Sequence, residues 1–129
     1  MKKHNKRYGI DKERDLVNWL YYKGVTALRC CGSGGGTKKP RPDIIAYKDN
    51  NYYAIELKSS IQDNVYINDK QVKNLIKFSK AFKSIPIIAV KFNLVKYCFL
   101  SIYDLKITDK GNYKFSRSEA VNFKNKYFE

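Results

Sequence analysis

The feature that most constrains the fold of this chain is a pair of short apolar segments, residues 43–48 and 52–58, which predict a β-hairpin. Both segments are rich in β-branched and aromatic residues, and the polar residues 49–51 between them favour a turn. Because consecutive strand residues point to opposite faces, Glu56 and Lys58 share one face, and their apolar neighbours occupy the other. The hairpin therefore predicts a sheet with charged groups on one defined face.

The register of this hairpin decides which side chains meet. A two-residue turn places Asp43 opposite Glu56, and a three-residue turn shifts the pairing by one residue. Facing side chains have Cβ atoms about 4.5–5.5 Å apart, where two negative charges repel each other and need a cation. Lys58 lies about 6.6 Å further along the strand, on the side of Glu56. This arrangement predicts Mg²⁺-dependent phosphodiester hydrolysis, in which the acids hold the ion and the lysine orients water or stabilises phosphate oxygens.

The same three residues also have a purely structural interpretation. Glu56 and Lys58 would form an exposed, salt-bridged strand face, and Asp43 would be a turn residue after Pro42. Because these residue types are common, features elsewhere in the chain must decide between the two interpretations.

The composition predicts a polyanionic partner. The 129 residues suit one domain, and 26 basic against 12 acidic residues leave a net charge of +14. Such an excess indicates nucleic acid or an anionic membrane surface. The sequence contains no apolar stretch near the roughly 20 residues of a membrane span and no signal peptide. We therefore expect no membrane association and a location in the cytoplasm, that of the host if the protein is viral.

Histidine and cysteine usage excludes several chemistries. The single histidine, His4, lies in a basic N-terminal tail, residues 1–7, so a Ser-His-Asp triad, a Cys-His pair and a histidine metal cluster are excluded. Cys30, Cys31 and Cys98 form neither a disulfide framework nor a zinc motif, and we expect them to be reduced packing residues. Any enzymatic chemistry must rest on carboxylates, lysine and a metal ion.

Residues 10–23 predict a helix that Gly24 ends, with an apolar arc formed by Ile10, Leu16, Val17, Leu20 and Tyr21. Glu13 falls inside this arc, and a buried carboxylate is costly unless a cation, a metal ion or a donor meets it. The helix dipole explains a negative charge in the first turn but not its place on the apolar face. We therefore expect Glu13 to have a functional role.

Residues 32–42 predict a mobile loop directly before Asp43. The segment is rich in glycine and carries three cations, Lys38, Lys39 and Arg41, close to Ser33. A plain linker is one interpretation. A loop with many free backbone N–H groups and positive charge beside the predicted metal site favours phosphate binding instead.

The remaining predicted elements form a mixed α/β domain with a central sheet flanked by helices. The order is α-β-β-β-α-β-β-α, with residues 26–31 as a short extended run and 104–129 as a C-terminal extension. The elements after the hairpin are a strand at 65–67, a helix capped by Asn68 and running to about residue 83, strands at 85–92 and 97–103, and a helix opened by Ser116 and Glu119 and running to about residue 127.

The helix after Asn68 has an apolar arc of about 160°, wider than one sheet face requires. Phe78 and Phe82 lie one turn apart at the edge of this arc. We expect this edge to form a two-fold interface between two copies of the chain. The alternative is that the last strand or the C-terminal helix of the same chain covers the two phenylalanines.

Several motifs together resemble those of the archaeal Holliday junction resolvases, a branch of the PD-(D/E)xK nuclease superfamily with viral members. The resemblance extends from about residue 7 to residue 103. The matching segments are Lys12-Glu13-Arg14-Asp15-Leu16, Arg29-Cys30-Cys31-Gly32-Ser33, Pro42-Asp43-Ile44-Ile45-Ala46, Ile55-Glu56-Leu57-Lys58, Tyr66-Ile67, residues 75–82 and residues 86–92.

The resemblance implies a homodimeric endonuclease with a restriction-endonuclease-like core that cuts two opposed strands of a four-way DNA junction. Its cofactor would be Mg²⁺, with Mn²⁺ as a substitute, and no small-molecule cofactor is implied. The implied roles are metal binding by Glu13, Asp43 and Glu56, assistance to the attacking water by Lys58, and phosphate contact by Arg14 and Arg29. Ser33 would lie in the loop that orders over the scissile strand.

Two other functions remain open from the sequence. One is a nuclease of the same fold that acts on ordinary duplex DNA. The other is a basic architectural protein that binds DNA without cutting it, although a pure binder has no reason to place three carboxylates in a positively charged cleft. Junction selectivity depends on DNA shape and dimer geometry, which sequence patterns do not reveal.

Overall fold

The computed structural model describes residues 2–30 and 39–129. In these ranges the elements are α1 (Lys2–Tyr22), β1 (Thr26–Arg29), β2 (Ile44–Lys48), β3 (Asn51–Ser60), β4 (Asn64–Ile67), α2 (Asp69–Phe82), β5 (Ile85–Phe92), β6 (Cys98–Leu100), a 3₁₀ turn (Ile102–Asp104), β7 (Lys106–Ile107), β8 (Tyr113–Ser116) and α3 (Arg117–Asn122). Across the same ranges, no helix combines the length and the apolar character that crossing a membrane requires.

The described strands form two sheets. The larger is mixed, with order β1-β2-β3-β5-β6, and only its β3–β5 pair is parallel. The smaller is antiparallel, with order β4-β8-β7. The large sheet confirms the predicted α/β fold with a mixed central sheet. Strand β5 lies between β3 and β6, and residues 87–90 are buried, as expected for a strand covered on both faces.

The predicted hairpin is β2 and β3. Asp49 and Asn50 both have positive φ, 50° and 67°, which a two-residue turn matching the twist of the strands requires. Lys48 pairs with Asn51, and the ladder ends where Ile44 pairs with Ile55. The two-residue register was therefore the correct one of the two alternatives.

Each face of the large sheet is covered by a helix and by part of the C-terminal segment. On one face, α1 packs Leu16 and Leu20, both fully buried, against the sheet together with Phe128. On the other face, α2 and the small sheet contribute a second cluster, which includes Leu75 and Phe115. The C-terminal extension is thus part of both halves of the core.

Helix α1 begins at Lys2, eight residues before the predicted start, so most of the expected basic tail continues the helix. No proline interrupts this stretch, and its lysine and arginine residues have favourable helix propensities. The expected place of Tyr21 on the apolar face was wrong, because its side chain is 56% exposed. Helix α3 was predicted too long. It ends at Asn122, and Asn125 then bonds the edge of β6, accepting from the Phe99 N–H (2.8 Å) and donating to the Tyr97 carbonyl (2.9 Å).

Three other elements differ from the expectations. The extended run predicted at 26–31 is an edge strand of the large sheet that ends at Arg29. The strand predicted at 97–103 contains only Cys98–Leu100, because the Asp104 carboxylate accepts from the N–H of Ser101 (2.9 Å) and closes a 3₁₀ turn. The small sheet was not expected, and its strands β7 and β8 are short, with charged and aromatic residues mixed.

Candidate active site

Asp43 stands at the point where β2 and β3 separate. Its backbone N–H donates to the Ile55 carbonyl (3.0 Å), and its Oδ2 accepts from the Leu57 N–H (2.9 Å). The Asp43 carboxylate thus replaces the backbone acceptor that a longer β2 would offer to β3. This bond fixes the carboxylate against β3. Continued by one residue, the register places Asp43 beside Glu56, as the two-residue turn predicted.

Glu56 and Asp43 form a half-buried pair of carboxylates. Burial and the negative charge of Asp43 raise the pKa of Glu56 to about 8, with a smaller contribution from Glu13, while Lys58 opposes the rise. Burial also raises the pKa of Asp43, against the lowering effects of the Leu57 N–H and Lys58. Near neutral pH, Glu56 therefore holds a proton unless a cation approaches.

Lys58 lies on the same face of β3 as Glu56, and its Nζ donates to Oε1 of Gln71 (3.3 Å) in the first turn of α2. The same Gln71 oxygen accepts from the Asn68 N–H (3.3 Å), while the Gln71 N–H donates to Asn68 Oδ1 (2.7 Å). The helix cap thus orients the lysine. Gln71 was not among the predicted site residues, although a glutamine three residues after an N-cap asparagine is a recognisable capping box.

Glu13 approaches the carboxylate pair from α1 but is bound by Arg29. Arg29 Nε donates to Glu13 Oε1 at 3.0 Å, and both side chains are about one-fifth exposed (22% and 21%). Burial raises the pKa of Glu13, the hydrogen bond from Arg29 lowers it, and Asp43 raises it further. The group that compensates the partly buried negative charge of Glu13 is therefore Arg29.

The described residues contain no cluster of three or more acidic, histidine or cysteine side chains able to hold a metal ion. Asp43 and Glu56 nevertheless suit a hard divalent cation, because they offer carboxylate oxygens that destabilise each other when both are ionised. The three-carboxylate site remains a prediction, which requires Glu13 to contribute from its position beside Arg29.

The predicted DNA-binding residues surround this pair unevenly. Lys39 and Arg41 are exposed, and with Glu56, Gln71 and three further residues they line a groove of about 210 Å³. Arg14 is exposed on α1, whereas Arg29 points to Glu13. Ser33 and Lys38 lie outside the described residues.

Phe78 and Phe82 lie on α2 and form an aromatic patch with Tyr52 and Tyr47. Their rings stack with centroids 5.1 Å apart, and Phe82 meets the edge of Tyr52 at 5.9 Å, which in turn contacts Tyr47. Phe82 remains 46% exposed, whereas Phe78 is half-buried and packs against the core cluster, so the two-fold interface stays a prediction.

The carboxylate pair predicts a stability that falls as pH rises. Because the folded-state pKa of Glu56 is about 8 and its ordinary value is 4.5, the folded protein binds more protons between these pH values. Thermal unfolding in EDTA should therefore show decreasing stability from about pH 4.5 to 8, by at most about 1.4 kcal/mol per pH unit. Mg²⁺ should remove this decrease, since it favours the ionised form. Glu56→Gln should show a smaller decrease, with the rest due to Asp43 and Glu13, whose pKa values burial also raises, and an unchanged slope in that variant would contradict the assignment.

Comparison with known proteins identifies the family. The family model described as archaeal Holliday junction resolvase (Hjc) matches residues 4–127. The crossover junction endodeoxyribonuclease Hje of Saccharolobus islandicus is 39% identical over 93 residues, 70% of this chain and 68% of the relative. The corresponding enzyme of Sulfolobus islandicus rod-shaped virus 1 is 36% identical over 113 residues, 85% of this chain and 91% of the viral protein.

The fold has a match among solved structures. Hjc of Archaeoglobus fulgidus, described as a Holliday junction resolvase from an archaeal hyperthermophile, superposes with a TM-score of 0.75 and 30% identity, over 84% of this chain and 88% of that protein. In sequence, an alignment of 113 residues with the same organism's Hjc is 34% identical and spans 88% of this chain. The motifs, the fold and the sequence matches agree, and the chain belongs to the archaeal Holliday junction resolvase family.

Proposed function

We infer that this chain is a crossover junction endodeoxyribonuclease that resolves four-way DNA junctions by metal-dependent hydrolysis of two opposed strands. The observation that carries this function is the half-buried pair of Asp43 and Glu56 with Lys58 on the same face, within a chain of net charge +14. Family membership supports the substrate, because the relatives are named for the junctions that they cut. The proposed location is the cytoplasm, that of the host if the protein is viral.

The proposed mechanism assigns each side chain one task. Asp43 and Glu56 bind the metal ion, with Glu13 as a third acid, and the Leu57 N–H holds Asp43 in place. When bound, Mg²⁺ (or Mn²⁺) lowers the pKa of water and neutralises charge on the phosphate. Lys58, oriented by Gln71, orients the attacking water or stabilises the phosphate oxygens.

The groove beside Glu56 supports a path for the DNA backbone. We propose that Lys39 and Arg41 contact phosphates there and that Arg14, exposed on α1, contacts another phosphate, since exposed cations near the carboxylates offset their charge. Ser33 and Lys38, from the glycine-rich segment before Asp43, are proposed to join them, and Arg29 to contact phosphate while it holds Glu13.

Homodimerisation is proposed through the aromatic patch of Tyr47, Tyr52, Phe78 and Phe82. Three of these side chains keep 39–48% of their surface exposed, although they already contact each other. One chain carries one carboxylate pair, and paired cuts need two. Two chains that pair through this patch about a two-fold axis would therefore bring two carboxylate pairs together in one dimer.

Phe82→Asp is expected to give folded monomers that cut junctions poorly, because a charge at the patch centre is costly to bury. Single nicks should replace paired cuts. Sedimentation velocity at micromolar concentration checks the assembly, and Tyr103→Asp, at a side chain 96% exposed, is the matched control. A wild-type monomer with full activity on junctions would contradict the proposal.

The function itself is tested with a labelled four-way junction and a matched linear duplex, each incubated with Mg²⁺ or with EDTA. The proposal expects symmetric cuts of the junction in Mg²⁺ alone and slow or absent cleavage of the duplex. Equal cleavage of both substrates would indicate a nuclease for ordinary duplex DNA. Tight binding without any cleavage would indicate an architectural protein.

A further inference from the structure

A second basic cavity lies next to the candidate active site, on the α1 side of β3. It has a volume of about 130 Å³, and its lining includes Tyr8, Lys12, Ser59, Lys91 and Tyr97. Ser59 and Lys91 are direct partners in the parallel pairing of β3 with β5, so the strands themselves fix these side chains next to each other. None of these residues belongs to the predicted catalytic or DNA-binding set.

The two lysines of this cavity, Lys12 and Lys91, bring positive charge together. Among the described residues neither forms a salt bridge; Lys12 Nζ lies 5.0 Å from the Tyr8 ring, and Lys91 Nζ donates to the Phe92 carbonyl (3.0 Å). Burial, and then the charge of Lys12, lower the pKa of Lys91. Asp15 is the one carboxylate that lines the described cavity, and it is exposed. An anion between the lysines would relieve their repulsion.

The Ser59 hydroxyl is the second observation that indicates a ligand. Its oxygen is shielded from solvent and has no hydrogen-bond partner among the described residues. A buried hydroxyl without a partner costs free energy, and such a group needs an explanation. A rotation about χ1 is enough to turn a serine hydroxyl between staggered positions, and Ser59 is one of the residues that line the cavity.

The cavity continues into the active site. A neighbouring cavity of about 190 Å³ shares Tyr8, Lys12 and Ser59 with it and is also lined by Glu13 and Lys58. Beyond Glu56, β3 has no partner in β2, so both faces of the strand are accessible around this open edge. Lys58 and Ser59 consequently line one continuous groove, although consecutive side chains alternate.

We propose that the cavity between Lys12, Ser59 and Lys91 binds a second backbone phosphate of the cleaved strand, a near neighbour of the scissile one. The two ammonium groups neutralise the phosphate, and the Ser59 hydroxyl donates to one of its oxygens. The site positions the strand along the groove so that the scissile phosphate meets Lys58 and the carboxylates. This inference rests on the proposed nuclease function, because the second phosphate belongs to the DNA that the nuclease would cleave.

The test uses junctions in which a single phosphate near the cut site is replaced by an uncharged methylphosphonate. For the wild type, one position other than the scissile one should lower affinity and cleavage about tenfold, since a lost charge-assisted contact costs about 1.4 kcal/mol. Lys91→Gln and Ser59→Ala should each weaken binding of the unmodified junction and be insensitive to the same modification, as expected for groups that act on one phosphate. Lys110→Gln, at an exposed lysine outside the groove, is the matched control for charge and should keep the sensitivity.

Ser59→Ala also separates the proposal from a structural role. Because the hydroxyl has no partner within residues 2–30 and 39–129, its removal should leave the melting temperature unchanged or slightly higher, while junction affinity falls. Affinity is measured in EDTA, so the result does not depend on cleavage. Variants that keep wild-type affinity and the wild-type methylphosphonate pattern would overturn the phosphate site even if the wild type resolves junctions. Absence of cleavage by the wild type would instead contradict the proposed function.

Discussion

Glu56→Gln is expected to lower junction cleavage by at least about 100-fold while changing junction affinity by no more than a few fold. The variant keeps the shape of the side chain but loses the charge that would bind the metal ion, and many Lys and Arg contacts still hold the DNA. Affinity in EDTA is expected to rise slightly, because one carboxylate no longer repels phosphate. Asp43→Asn and Lys58→Gln should show the same separation. The measurements are single-turnover cleavage rates and equilibrium binding of one labelled junction.

The control for these variants is an unfolding measurement that shows that they remain folded. Glu56→Gln should unfold at a temperature no lower than that of the wild type at pH 8, since the buried charge is gone. Gln71→Ala is a milder variant for comparison, because it removes the group that orients Lys58 but none of the charges. It should reduce the cleavage rate less than Lys58→Gln does. Parallel loss of binding and cleavage in all variants would mean that these residues are structural.

Phe128→Ala is expected to destabilise the protein by about 3–5 kcal/mol, a large part of the stability of a domain of this size. Phe128 is 1% exposed, and its ring meets the edges of Tyr53 and Phe99, each with centroids 4.9 Å apart. These partners lie on β3 and β6, so the residue holds the C-terminal segment against the face of the sheet that α1 covers. Denaturant unfolding measures the effect.

Tyr103→Ala is the matched control for this aromatic truncation. Its side chain is 96% exposed, and its removal should change stability by no more than about 0.5 kcal/mol. Similar stabilities for the two variants would mean that the C-terminal segment does not contribute to the core. In that case the segment would be free to serve another purpose.

The sequence predicted the centre of the fold and of the site because both depend on local patterns. The hairpin was predicted with two possible registers, and the structure has the two-residue turn Asp49-Asn50, which places Asp43 beside Glu56. The N-cap at Asn68 and the capping box at Ser116 were also confirmed, because each depends on residues three positions apart. Strand β5 followed from a nearly continuous apolar run.

The features that the sequence did not predict depend on contacts between distant residues. Arg29 and Glu13 are 16 positions apart in the sequence, and no local pattern indicates that they form an ion pair. The small sheet pairs β4 with β8, whose short segments carry little periodicity of their own. The Asn125 side chain bonds the edge of β6 in place of a neighbouring strand. These hydrogen bonds end α3 earlier than its helical pattern indicates. In each case tertiary hydrogen bonds overrode local propensity.

The most direct test of the account is cleavage of a supercoiled plasmid that carries a cruciform, a four-way junction held in one molecule. With Mg²⁺ the wild type should convert the plasmid to the linear form by paired cuts at the cruciform, Phe82→Asp should leave nicked circles, and Glu56→Gln should leave the plasmid intact. A plasmid of the same size without the cruciform should remain supercoiled. Linear product from both plasmids alike, or cleavage that persists in Glu56→Gln, would contradict the assignment of a junction-resolving centre to Asp43, Glu56 and Lys58.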